Sequence, residues 1–124
     1  MRMSIYTKIA QIQKEIGPMT KEKEGYNYKY FDINQILEKL MPLLDKHGLV
    51  LTQPIQNVDG IAVLNTIIYD TETQESLHSE FPMPELQDFQ KIGSGVTYIR
   101  RYSIQSLLAL QAEDDDALST KDPF

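Results

Sequence analysis

Between positions 93 and 102 the chain reads Gly-Ser-Gly-Val-Thr-Tyr-Ile-Arg-Arg-Tyr, and no other stretch combines residue types and spacing so well suited to chemistry. On a helical wheel, at about 100° per residue, Val96, Ile99, Ile104, Leu107 and Leu110 form one apolar arc with Arg100 projecting into its middle. Tyr98, Arg101, Tyr102 and Gln105 fall on the opposite, more polar side. Two rings interleaved with a guanidinium suit an unpaired polynucleotide: the cation meets phosphate, and the ring faces stack on bases without selecting sequence. Taken singly, each tyrosine is accounted for by core or interface packing. Arg100 is likewise accounted for by snorkelling past the apolar rim or pairing with a carboxylate across an interface. Gly93 and Ser94 precede this segment. Exposed amides at a helix N-terminus, unobstructed by side chains, form a phosphate-sized anion site. A bend or tight helix–sheet packing explains Gly-Ser-Gly about as well.

Charge placement sharpens this reading. The chain of 124 residues has a formal net charge of -6, which at first sight argues against a polyanionic partner. Glu113 to Phe124, however, contain five acids and one lysine, so most of the acidity is in the tail. The 24 residues from Phe89 to Ala112 contain Lys91, Arg100 and Arg101 and no acid, although 18 acids are spread over the chain. That segment is a cationic window in an acidic protein.

Other chemistries find less support. Gly93-Ser94-Gly95 lacks the Gly-Lys-Ser/Thr of a phosphate-binding loop and the third glycine of a dinucleotide fingerprint, so no nucleotide cofactor is expected. His47 falls in the last turn of a helix, where a cation complements the dipole, and His78 lies in a strand without a spaced partner; structural roles are expected for both. Glu113-Asp114-Asp115-Asp116 could hold a hard divalent cation. Four acids just past a helix end read better as a solvated segment or as partners for arginines of the same or a neighbouring subunit. The chain is therefore expected to be no enzyme and to carry no cofactor and no metal. A metal-dependent nuclease is the weakest alternative, since no histidine or lysine is spaced to support the carboxylates.

The elements that position these residues follow from periodicity. With 41% apolar and 24% charged residues and this length, the chain suits one globular domain. It has no cysteine, and its apolar runs reach neither membrane-spanning nor signal-peptide length, so a cytoplasmic protein without membrane contact is expected. Ser4 caps a first helix with Ile5, Ile9, Ile12 and Ile16 on one face, ended by Gly17-Pro18. A charged, mobile stretch from Thr20 to Gly25 is expected next, then a short strand with an aromatic face, Tyr26, Tyr28 and Tyr30, alternating with Asn27 and Lys29. Asp32, with Gln35 in the capping-box position, starts a second helix whose stripe is Ile33, Ile36, Leu37, Leu40, Leu43 and Leu44, kinked at Pro42 and stopped by Gly48. Strands over Leu49 to Gln56, Ile61 to Tyr69 and Ser76 to Phe81, joined by short turns, predict an antiparallel meander. A helix from about Glu85 to Gln111, broken or bent at Gly93-Ser94-Gly95, completes the fold. The expected class is α+β, a three- to four-stranded antiparallel meander against a long C-terminal helix with helices at the N-terminus. The expected domain spans residues 1–112, followed by an acidic, flexible tail over 113–124.

The residues from Gly93-Ser94 through Val96-Thr97-Tyr98-Ile99-Arg100-Arg101-Tyr102 and Leu107-Leu108-Ala109-Leu110 to Glu113-Asp114-Asp115-Asp116 resemble the signature of the ERF (essential recombination function) family of phage single-strand annealing proteins. Tyr28-Lys29-Tyr30 and the helix ending in Pro42-Leu43-Leu44 and His47-Gly48-Leu49 are similar to its N-terminal half. Two positions depart from the pattern: Gly95 stands where alanine is common, and Ala109 where glycine is common. The resemblance implies an annealing-protein fold with a β-β-β-α core and ATP-independent binding and annealing of single-stranded DNA during phage homologous recombination. It also implies assembly into a ring or filament. Weak affinity per subunit then becomes a continuous positive track. By position, Arg100 and Arg101 fall on the family's paired arginines and Tyr98 and Tyr102 on its tyrosines. Lys91, Lys29, Tyr28 and Tyr30 are added from charge and aromatic placement, and Gly93 and Ser94 from the anion-site reading. Arg101 is favoured for DNA, with Arg101→Ala expected to weaken binding and leave the fold intact. Asp122-Pro123-Phe124 resembles the tail tip of bacterial single-stranded-DNA-binding proteins, which makes host or phage replication and recombination proteins further expected partners. The competing reading is an acidic partner-binding or DNA-mimicking regulator without DNA affinity.

Overall fold

The computed structural model describes residues 2–19, 23–25, 28–30, 32–84 and 89–111, with backbone alone at 23–25, 28–30 and 89–91. Helix α1 (Ile5–Ile16) begins where the Ser4 hydroxyl accepts the Thr7 amide at 3.3 Å, and it ends at Gly17, whose φ of 61° suits glycine. Its buried face is the expected stripe of Ile5, Ile9, Ile12 and Ile16. Helix α2 (Ile33–Lys46) is capped by Asp32, whose Oδ1 accepts the Gln35 amide at 2.9 Å, and it ends at His47 and Gly48. The helix runs unbroken through Pro42, which can make no bond to the Glu38 carbonyl. Ile33, Ile36, Leu40 and Leu44 are buried, with Leu37 and Leu43 packed against them.

Between these helices β1 (Lys23–Gly25) pairs antiparallel with β2 (Tyr28–Tyr30), Gly25 opposite Tyr28. Lys23 to Gly25 is therefore strand and not the mobile stretch expected, because β2 offers it a ladder of backbone partners. Thr20 to Glu22 and Tyr26 lie outside the described residues.

The main sheet contains β3 (Leu49–Thr52), β4 (Ile55–Val58), β5 (Ile61–Asp70) and β6 (Ser76–Pro82), all antiparallel to the central β5. The first expected strand is split at Gln53-Pro54. One register nevertheless runs through it, from Leu49 opposite Asp70 to Val58 opposite Ile61, and the Pro54 carbonyl accepts the Asn65 amide at 2.9 Å. Proline lacks the N–H that would return the bond, so the ladder is interrupted without a slip. Asp59 and Gly60, both at positive φ (52° and 83°), close the β4–β5 hairpin, and the Asn57 side chain accepts the Gly60 amide at 2.9 Å. The meander expected from sequence is thus present.

Helix α3 (Phe89–Leu108) closes the domain. Of the break or bend expected at Gly93-Ser94-Gly95 the break is absent: the helix is continuous there, since tertiary packing outweighs the poor helix propensity of two glycines. Its end is marked by Ala109 at φ 52° and by a bond from the Leu110 amide to the Gln105 carbonyl at 3.0 Å, the geometry of a Schellman motif. Ile104 and Leu108 of α3 join Leu49 and Ile68 of the sheet and the stripes of α1 and α2 in one core. Full burial of each such side chain is worth about 1.5–3 kcal/mol.

A charged pair is buried beside this core. Lys8, 3% exposed, lies between Ile5 and Ile9 on the buried side of α1, and its Nζ reaches the Asp70 carboxylate at 3.1 and 3.0 Å and Glu72 at 2.9 Å. Asp70, 1% exposed, also accepts the amides of Glu72 and Thr73. The Ile5 amide donates to Glu75, so the N-terminus of α1 is clamped to the β5–β6 turn. The hydrogen bond from Glu72 holds the Lys8 ammonium above its ordinary value. For Asp70 burial works the other way, but the Glu72 amide, Lys8 and Thr73 outweigh it and hold the carboxyl below its ordinary value.

The buried pair and the course of α3 each generate a prediction. Asp70 contributes stability above its ordinary value of 3.8, lost as pH falls through its lower folded value, and Lys8 contributes below 10.5, lost as pH rises through its higher one. Lys8→Met is therefore expected to lower the thermal midpoint by several degrees at neutral pH. The deficit should narrow below pH 3.8, and thermal melts that give equal deficits at every pH would contradict the pairing. In α3, Ala109→Gly relieves a left-handed residue and Gly93→Ala adds a methyl that meets no atom within 4 Å, so each should raise stability, by about 0.5–1 kcal/mol in urea titrations.

Candidate nucleic-acid interface

The middle of α3 presents its chemistry on two flanks. On one, Tyr98 and Tyr102, a turn apart, have ring centroids 4.5 Å apart at 36°. The Arg101 guanidinium lies over both rings, 4.8 and 4.9 Å from their centroids. Tyr102 is exposed at 36%, Tyr98 is half-buried, and Arg101 is only 6% exposed. The expectation that Arg101 faces solvent is thus corrected. The wheel assumed a single buried side, whereas Gly95, Ile99, Ser103, Ile104 and Leu108 bury a broader arc of α3. Arg101 stands three and seven residues before Ile104 and Leu108, so the sequence already put it on a core stripe.

On the other flank Arg100 does project toward the sheet, as the apolar arc implied, and it is half-buried. Its Nε donates to Gln53 Oε1 at 3.2 Å. Gln53 Nε2 in turn donates to the Arg100 carbonyl at 3.1 Å and to the hydroxyl of the fully buried Thr66 at 3.0 Å. Gln53 and Thr66 were not singled out from sequence. The available signal was a glutamine before a proline inside a strand, at the point where the ladder is interrupted.

Gly93 and Ser94 are exposed but lie within α3, four residues past its start at Phe89, so their amides belong to the helical ladder and the reading of them as a helix-terminal anion site is corrected. The Gly93 carbonyl accepts the Thr97 hydroxyl at 3.2 Å. Tyr28, Lys29 and Tyr30 form β2 and Lys91 lies in the first turn of α3; their side chains are outside the described residues, as are Glu113 to Asp116 and the rest of the tail.

Both histidines have neighbours. His47 Nε2 lies 3.0 Å from Glu15, whose carboxyl is held below its ordinary value by that bond first and by Lys46 second. His78 Nε2 is 2.8 Å from Asn65 Oδ1, and Asn65 donates to Gln56 at 3.0 Å across the outer face of the sheet. Among the described residues no cluster of three or more His, Asp or Glu could hold a metal ion, and no helix is long and apolar enough to cross a membrane.

Compared with known families, the chain matches the model of the ERF superfamily over residues 5–123. No curated protein and no solved structure matches it. The matched range runs from the first residue of α1 past the end of α3 and so takes in both flanks just described. On that match the chain belongs to the ERF superfamily.

Proposed function

We propose that this protein binds single-stranded DNA and anneals complementary strands without a nucleotide cofactor, as part of phage recombination in the bacterial cytoplasm. Membership of the ERF superfamily is the observation that carries the reading. The Tyr98–Arg101–Tyr102 cluster supports it, because an exposed ring braced by a guanidinium offers a base a π-face without a sequence-specific contact. The process is physical and not covalent: phosphates are held, base edges stay open to test pairing, and the duplex supplies about 1.4 kcal/mol per base-pair step. Copies of this chain act side by side, so a net charge of -6 per chain is no obstacle to a local positive track.

The test is the pairing of labelled complementary oligonucleotides with neither nucleotide nor metal present. The protein should accelerate pairing, bind each single strand at low salt and release it steeply as salt rises. Tyr102→Ala should weaken binding several-fold and, since the ring also packs on Tyr98 and Arg101, lower the thermal midpoint by a few degrees without loss of the fold. Absence of any shift at low salt, together with a stable protein complex lost on removal of residues 113–124, would instead identify an acidic partner-binding regulator.

A further inference from the structure

The two adjacent arginines of α3 differ in what holds them. Arg101 is 6% exposed and stacked on two rings. Arg100 is half-buried at the seam between α3 and the strand pair β3–β4, and among the described residues its Nε alone is engaged, by Gln53. Among the described residues Arg100 forms no ion pair. A guanidinium carries five donors and stays charged, so the terminal amino groups of Arg100 remain available on a cation whose direction is fixed. The fixing is thorough. Gln53 accepts from the Arg100 side chain, donates to the Arg100 backbone and is itself tied to buried Thr66, which leaves it little rotational freedom. Its place on the strand is the interruption before Pro54.

We infer that Arg100 is the phosphate-contacting arginine and Gln53 its positioning residue, whereas Arg101 serves the packing of α3; this rests on the single-strand-binding function proposed above. The ligand class is the phosphodiester backbone of an unpaired strand, taken by the terminal amino groups of Arg100 in the α3–sheet seam. A neutral amide at Gln53 suits the task. It orients the guanidinium through Nε without neutralising it, as a carboxylate in its place would.

The experiment measures affinity of the full chain for an oligodeoxythymidine at several salt concentrations, with thermal midpoints alongside. Arg100→Gln should lower affinity by about tenfold and make the slope of log affinity against log salt shallower by about 0.7. Gln53→Glu puts a carboxylate against Arg100 and should lower affinity and slope in the same direction; it gives up the amide's bonds to the Arg100 carbonyl and to Thr66, so the midpoint should fall while a cooperative melt is kept. It keeps the assignment testable even if Arg100→Gln fails to fold. Arg101→Lys should lower the midpoint and leave the slope unchanged. A wild-type chain that binds with a slope unaltered by Arg100→Gln and Gln53→Glu overturns this assignment alone. A wild-type chain that ignores the oligonucleotide at low salt overturns the proposed function and this assignment with it.

Discussion

Burying the Asp70 carboxylate is the constraint from which much of this architecture follows. An ionised carboxylate in a protein interior costs several kcal/mol unless it is paired and hydrogen-bonded, and here its partners come from two directions. Two are amides of the β5–β6 turn and one is Lys8 of α1. The turn and the first helix must therefore take up one arrangement together. The same turn reaches the end of α2, since the Thr71 amide and hydroxyl both donate to the Gly48 carbonyl, at 3.0 and 2.8 Å. Asp70 and the turn that follows it thus join the start of α1, the end of α2 and the end of the central strand at one point.

The two arginines of α3 illustrate how neighbours in sequence acquire unlike environments. A step of about 100° along a helix separates a side chain laid over aromatic rings from one tethered at a sheet edge. The tether depends on a defect, because Gln53 sits where proline interrupts the ladder. The strand keeps its register on both sides of the interruption, so the irregularity is confined to one residue pair.

Much of the fold was legible because it rests on local rules. Ser4 and Asp32 as caps, the isoleucine stripe of α1, the leucine stripe of α2 and the Asp59-Gly60 hairpin each follow from periodicity or turn chemistry within a few residues. What escaped depends on tertiary context. Lys8 occupies an apolar position because a buried carboxylate 62 residues away is waiting for it, which no local pattern reveals. Helix α3 crosses Gly93-Ser94-Gly95 because neighbouring elements hold it there, and Lys23–Gly25 is a strand because β2 pairs with it. Of the candidate site, the segment was singled out from residue types alone, but the burial of Arg101 was not foreseen. A wheel with one buried arc cannot represent a helix enclosed on several sides. Ala109, singled out as a departure from the family pattern, has a physical counterpart in its left-handed backbone, where glycine would fit without strain.

The unbroken passage of α3 through two glycines also divides the helix mechanically. Each glycine forgoes about 1 kcal/mol of intrinsic helix stability relative to alanine, so the first turns hold their shape only while docked, whereas the turns beyond Tyr98 are anchored by Ile99, Ile104 and Leu108. Opening free energy should then rise along the helix from Phe89 toward Leu108, and fraying from its start would leave Arg100 and the tyrosines in place. Such a graded element lets the N-terminal turns rearrange without melting the domain beneath them.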